Sequence, residues 1–174
     1  LSLKSLNLKK NSEVIIPAQT YCSTLFAVLR ADLKPVLVDI QALNPTLSIK
    51  DLKKKITKKT SAIIIVHLYG ECCNFKEIKK IIKRKKIHII EDAAQAHGAQ
   101  DFSYKKRGSR AGSMGVLGCF SFYPGKNLGA YGDAGAITTN SKSLYIKLLK
   151  LRNLGGIKKY EHDVLGFNSR LDTL

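Results

Sequence analysis

No apolar stretch in this 174-residue chain is long enough to span a membrane as a helix. The longest, Ala62–Val66, falls far short of the roughly 20 residues such a helix needs. The opening segment, Leu1–Ser12, is punctuated by Lys and Asn and lacks the apolar centre of a secretion signal. It begins on Leu rather than Met, so the chain is expected to start inside a longer reading frame. Cysteine is sparse: Cys22, Cys72, Cys73 and Cys119 form no CxxC pair. The adjacent Cys72 and Cys73 suit neither a disulfide framework nor a tetrahedral zinc site. Reduced thiols in a cytoplasm are the expectation.

Acidic residues are also few, 13 against 30 Lys and Arg, which leaves a formal net charge of +17. Such a balance raises nucleic acid or an anionic membrane as a partner. Arginine, however, is the residue that reads base edges and clamps phosphates bidentately, and only six of the 30 basic residues are Arg. Thirteen of the basic residues fall in two runs, Lys50–Lys59 and Lys76–Lys86, interleaved with Ile and Leu at helical spacing. In Asp51–Ile56 and Ile78–Arg84 the apolar positions mark a buried stripe and the lysines a wet face. Two solvated helix surfaces account for the charge, and no nucleic-acid partner is expected.

What is present is an alternation of short β-branched runs with amphipathic segments. Strands are expected at Glu13–Ile16, Val36–Ile40, Ala62–His67 and Ile87–Glu91, with helices at Ser23–Ala31, Ile49–Ile56 and Phe75–Lys86. This order implies an α/β fold, a mostly parallel sheet with helices on both faces. In open sheets of this kind the ligand lies beyond the carboxyl ends of the strands. Suspicion therefore falls on Pro17–Thr20, Asp39, His67–Gly70, Glu91 and Asp92. Seven of the 13 glycines crowd into Gly112–Gly135, where backbone must approach something closely. Two further apolar runs, Val116–Phe122 and Ala134–Thr139, precede a helix at Ser141–Leu151 capped by Asn140 or Ser141. No complete element is expected in Gly155–Leu174.

Lys126 is separated from every other lysine between Lys106 and Lys142, in the aromatic and glycine-rich stretch SFYPGKNLG, Ser121–Gly129. Desolvation there would make its amine a better nucleophile, although a lysine taken alone is most often a surface cation. Asp92, at the end of an apolar run, could pair with a protonated pyridine nitrogen or simply cap a helix at Ala93–Ala96. Ser121 could bind a phosphate with neighbouring amides or be a plain turn hydroxyl.

Six segments taken together are more specific: EVIIPA (Glu13–Ala18), PVLVDI (Pro35–Ile40), VHLYG (Val66–Gly70), EDAAQAHGA (Glu91–Ala99), GCFSFYPGKNLGAYGDAGAI (Gly118–Ile137) and GFNSRL (Gly166–Leu171). In order and spacing they resemble the DegT/StrS family of pyridoxal-phosphate-dependent nucleotide-sugar aminotransferases. The resemblance implies an aspartate-aminotransferase-like large domain of fold type I, incomplete at both ends, with an N-terminal segment and a C-terminal small domain lying outside residues 1–174. It implies that Lys126 bonds covalently to the cofactor and shuttles a proton, that Asp92 pairs with the pyridine nitrogen, and that Gln95 approaches the ring's 3-oxygen. Ser121 then holds the phosphate, Tyr21 stacks on the ring, and Asn168 reaches the phosphate in the partner subunit of a homodimer with shared sites. His97 would face the sugar. The implied reaction carries an amino group from glutamate to a nucleotide-activated keto-deoxysugar, at C3 or C4, in polysaccharide, lipopolysaccharide or other glycan biosynthesis. Alternatives are an inactive truncated remnant, a sugar dehydratase, which the presence of Lys126 disfavours, and a basic nucleic-acid-binding module.

Overall fold

The computed structural model describes residues 1–104 and 108–172. In chain order the elements are α1 (Ser2–Ser5), β1 (Glu13–Pro17), α2 (Cys22–Leu29), β2 (Lys34–Val38), β3 (Ile40–Gln41), β4 (Asn44–Leu47), α3 (Ile49–Lys55), β5 (Thr60–Val66), α4 (Phe75–Ile82), β6 (His88–Asp92), β7 (Gln100–Asp101), β8 (Ser109–Arg110), β9 (Leu117–Ser121), β10 (Gly135–Thr138) and α5 (Lys142–Arg152). Six strands form one sheet in the order β10-β9-β6-β5-β1-β2. All neighbours in it are parallel except the edge pair β9 and β10.

Both faces of β1, β5 and β6 are covered, which is why these strands read as continuous apolar runs rather than as alternation, whereas the edge strands β2 and β10 are more exposed. Ile15, Ile63, Ile65 and Ile89 point to one side, against Leu52 of α3 and Phe75, Ile78 and Ile82 of α4. Val14, Ile16, Ala62, Ile64 and Ile90 point to the other, against Leu3, Val28 of α2 and Leu148 of α5. Each fully buried Ile, Leu or Phe contributes about 1.5–3 kcal/mol, so these two layers dominate the stability. Side-chain caps from Ser48, Asn74 and Ser141 start α3, α4 and α5, each replacing an orphan N–H partner at the helix end. The basic residues of the two lysine-rich runs are exposed, as their spacing predicts.

The differences from expectation have local causes. β2 starts at Lys34, ahead of its β-branched run, because the Lys34 N–H bonds to the Ser12 carbonyl and extends the ladder with β1. α4 stops at Ile82, its last buried residue, since Lys83–Lys86 are all exposed and offer nothing to bury. The pairs β3–β4 and β7–β8 have strands of two to four residues, too short to show a period in sequence. No helix forms at Ala93–Ala96, which is a turn. The glycine cluster is explained by the chain packing on itself. A Cβ at Gly118 would clash with the Gly112 carbonyl oxygen, and one at Gly115 would sit 2.5 Å from that of Ile89.

Candidate active site

The parallel strands β9, β6, β5 and β1 are consecutive neighbours, so the segments following Ser121, Asp92, Val66 and Pro17 all emerge at one end of the sheet. Hydrogen bonds tie these segments together. Thr24 Oγ1, in the first turn of α2, donates to Asp92 Oδ2 at 2.8 Å, and the Ala94 N–H donates to Asp92 Oδ1 at 3.2 Å. The Tyr69 N–H donates to Gln95 Oε1 at 2.8 Å. His97 Nε2 lies 2.9 Å from the Ser121 carbonyl, with its ring tilted between Phe120 and Phe122 at 5.6 and 5.5 Å.

The donor set suits an anionic, aromatic cofactor. Asp92 keeps lone pairs available beyond its two donors. Because the Gln95 carbonyl oxygen is occupied by Tyr69, its NH₂ is left to donate to a ring oxygen. The Tyr123 N–H donates to Ser121 Oγ at 3.3 Å, which leaves the Ser121 proton for an outside acceptor. Tyr21 is 74% exposed, with its ring face open to stacking. Lys126 closes a turn, its N–H donating to the Tyr123 carbonyl at 2.9 Å, and the residue is half-buried.

Asn168 lies in another part of the network. Its backbone forms an antiparallel bridge with Asn153 just beyond α5, flanked by the Leu154 N–H donating to the Phe167 carbonyl and the Ser169 N–H to that of Arg152. Among the described residues no hydrogen bond joins it to the other five.

Three residues flagged by position have other roles. Asp39 is exposed and accepts from the N–H of its neighbour Ile40 at 2.8 Å. His67 and Glu91 are fully buried and bonded to each other at 3.0 Å. Thr24 carried no signal in sequence, because a threonine early in a helix is unremarkable until its partner is known. Among the described residues no group of His, Cys, Asp and Glu could hold a metal, and no helix is long and apolar enough to cross a membrane.

The thiols divide sharply. Burial pushes Cys73 up to about 12 and Cys119 up to about 11, the latter opposed by a hydrogen bond between its thiol and the Ser2 hydroxyl. Cys72 is likewise raised to about 11, by burial first and then by Asp101. Cys22 is exposed at the start of α2. At pH 8 a pKa near 11 leaves about one thiolate in a thousand. A disulfide reagent is therefore expected to titrate one thiol rapidly in the folded protein and four after denaturation. Rapid reaction of two or more would contradict the raised pKa of the other three, of which Cys73 is buried and Cys72 and Cys119 are half-buried.

The whole chain, residues 1–174, matches the DegT/DnrJ/EryC1/StrS aminotransferase family. It is 42% identical over 174 residues to dTDP-3-amino-3,4,6-trideoxy-alpha-D-glucose transaminase of Streptomyces venezuelae, covering all of this chain and 45% of that protein. Among solved structures, S. venezuelae DesV superimposes with a TM-score of 0.91 at 41% identity, over 98% of this chain and 44% of DesV. NtdA of Bacillus subtilis, solved with bound cofactor PMP, superimposes at 0.84 and 33% identity, over 97% of this chain and 38% of NtdA. The chain thus spans less than half the length of each.

Proposed function

Because this chain belongs to the DegT/DnrJ/EryC1/StrS aminotransferase family, we propose that it is the greater part of the cofactor-binding large domain of a pyridoxal-phosphate-dependent sugar aminotransferase. The observation that carries this reading is Asp92 and the Ser121–Lys126 segment leaving the same end of adjacent parallel strands, β6 and β9. The rest of the enzyme's length would supply an N-terminal segment and a smaller C-terminal domain. The acceptor is a nucleotide-linked keto-deoxysugar, the amino donor glutamate, and the setting cytoplasmic glycan biosynthesis, including polysaccharide and lipopolysaccharide. The amino group at C3 in the S. venezuelae relative's product supports a 3-keto acceptor.

Pyridoxal phosphate, when bound, supplies an electron sink that makes the hydrogen on the amine-bearing carbon removable. The chain's own residues would do the rest. Asp92, held by Thr24 and Ala94, offers a carboxylate to the pyridine N–H and keeps that proton in place. Gln95 would donate from its amide to the ring's 3-oxygen, Tyr21 would stack on the ring, and Ser121 would donate to the phosphate. Lys126 would hold the cofactor through Nζ, its amine taking the place of the carbonyl oxygen, which leaves as water, and would carry a proton on that same atom during turnover. Asn168 would complete the phosphate site of a second copy, so a homodimer is part of the proposal.

The test is transfer of ¹⁵N. The protein is mixed with pyridoxal phosphate, ¹⁵N-glutamate and a dTDP-linked 3-keto-6-deoxyhexose, and the sugar product is weighed. A labelled amino sugar is expected. In the full-length protein, a bound cofactor with no labelled product would overturn the aminotransferase assignment, and no cofactor binding at all would favour the inactive-remnant reading.

A further inference from the structure

We propose that Thr24 is a positioning residue for Asp92, the inner member of a hydroxyl relay that runs from Thr20 through Thr24 to the carboxylate. The inference rests on the functional reading above and goes beyond it, since it assigns a role to two residues to which the family resemblance gives none.

The direction of the relay follows from counting protons. A threonine hydroxyl has one proton to donate and lone pairs to accept. Thr24 Oγ1 donates to Asp92 Oδ2 at 2.8 Å, so its 3.0 Å contact with Thr20 Oγ1 must have Thr20 as the donor. Thr24 is buried, only 4% exposed, in an eight-residue helix. A helical threonine commonly returns its hydroxyl to a carbonyl one turn back, whereas this one points across to the end of β6. Meanwhile the Ala94 N–H donates to the other oxygen, Oδ1. One donor on each oxygen fixes the plane of the carboxylate and leaves lone pairs on both for a cofactor N–H. Both donors are neutral groups that stabilise the ionised form without competing for it as a cation would. Thr20 also adjoins Tyr21 in the chain, so the relay couples the stacking ring and the carboxylate into one unit.

Thr24→Val keeps the shape and removes the hydroxyl; Thr24→Ser keeps the hydroxyl. Both are loaded with pyridoxal phosphate and compared with wild type in the pH titration of the visible cofactor band and in steady-state kinetics. For Thr24→Val the midpoint of the band is expected to move and kcat to fall by about tenfold, with KM for the sugar within about twofold, because a charge-assisted hydrogen bond is lost at the cofactor and not at the substrate. Thr24→Ser is expected to restore both. A Thr24→Val protein that titrates and turns over like wild type overturns the proposal, as does a Thr24→Ser protein equally damaged. Should Thr24→Val not fold, Thr20→Val reads the outer step, with a smaller change in the same direction expected and none overturning the relay. Failure of the wild type itself to show the band sinks the functional reading, an outcome distinct from a normal wild-type band left unaltered in the variants.

Discussion

Lys126→Ala is expected to abolish covalent attachment of pyridoxal phosphate and to cut amination by about 10³-fold or more. Two losses combine in that figure. The only amine in the Ser121–Gly129 segment disappears, and with it the group that would move the proton during turnover. General acid–base catalysis by one positioned side chain is worth about 10²–10⁴-fold, and loss of the nucleophile comes on top of this. Borohydride treatment followed by mass spectrometry should fix one cofactor per wild-type chain on the peptide containing Lys126, and none in the variant. Lys126→Arg should behave like Lys126→Ala despite keeping the charge, because a guanidinium is not a nucleophile at this pH. A small primary amine added to Lys126→Ala should recover part of the rate. Retention of borohydride-stable label after Lys126→Ala would remove Lys126 from the proposed site. Folding should be intact, since the side chain is half-buried in a loop turn and the variant leaves the turn's backbone bond to Tyr123 untouched.

What could be read from sequence was what depends on period and on neighbours in the chain. Strands β1, β5 and β6 and the helices between them follow from apolar runs that are buried on both faces. The positions of Asp92 and Ser121 follow from their placement at the ends of such runs. What escaped were features set by partners distant in sequence. Thr24 meets Asp92 across 68 residues, and nothing near Thr24 announces it. Gly118 is required by Gly112 and Gly115 by Ile89, so the cluster was legible as close approach while the approaching atoms were not. Glu91 and Asp92 are adjacent and chemically alike, yet strand alternation turns them to opposite fates. One is sealed in the interior and the other is partly open at the strand's end. Sequence alone nominated both for chemistry.

For Glu91 the consequence is structural and large: Glu91→Ala is expected to cost about 3–5 kcal/mol. The carboxylate is fully buried and accepts four hydrogen bonds. Oε2 takes the His67 Nε2–H at 3.0 Å and the Gly112 N–H at 2.7 Å, while Oε1 takes the N–H groups of Met114 at 2.7 Å and Gly115 at 2.5 Å. His67 Nδ1 accepts from the Cys73 N–H at 3.1 Å, so the imidazole proton sits on Nε2 and the ring is a neutral donor. The buried charge is therefore neutralised by four N–H dipoles rather than by a cation. Removing it orphans three backbone donors and one imidazole donor, each costing about 1–3 kcal/mol when buried and unpaired, less whatever water entering the new cavity recovers. At about 2–4 °C per kcal/mol for a chain of this size, the melting temperature should fall by about 10 °C. His67→Ala removes one of four donors and leaves Glu91 three, so its cost should be clearly smaller. Melting curves of wild type and the two variants decide the matter. Equal losses would mean that the pair acts as an ion pair, and a Glu91→Ala protein melting within about 2 °C of wild type would mean that the loop Gly112–Gly115 is held by something other than Glu91. The expected order instead makes Glu91 the anchor that joins the end of β5, through His67, to the loop that leads into β9. It thereby fixes the spacing between the strands that carry Asp92 and Ser121.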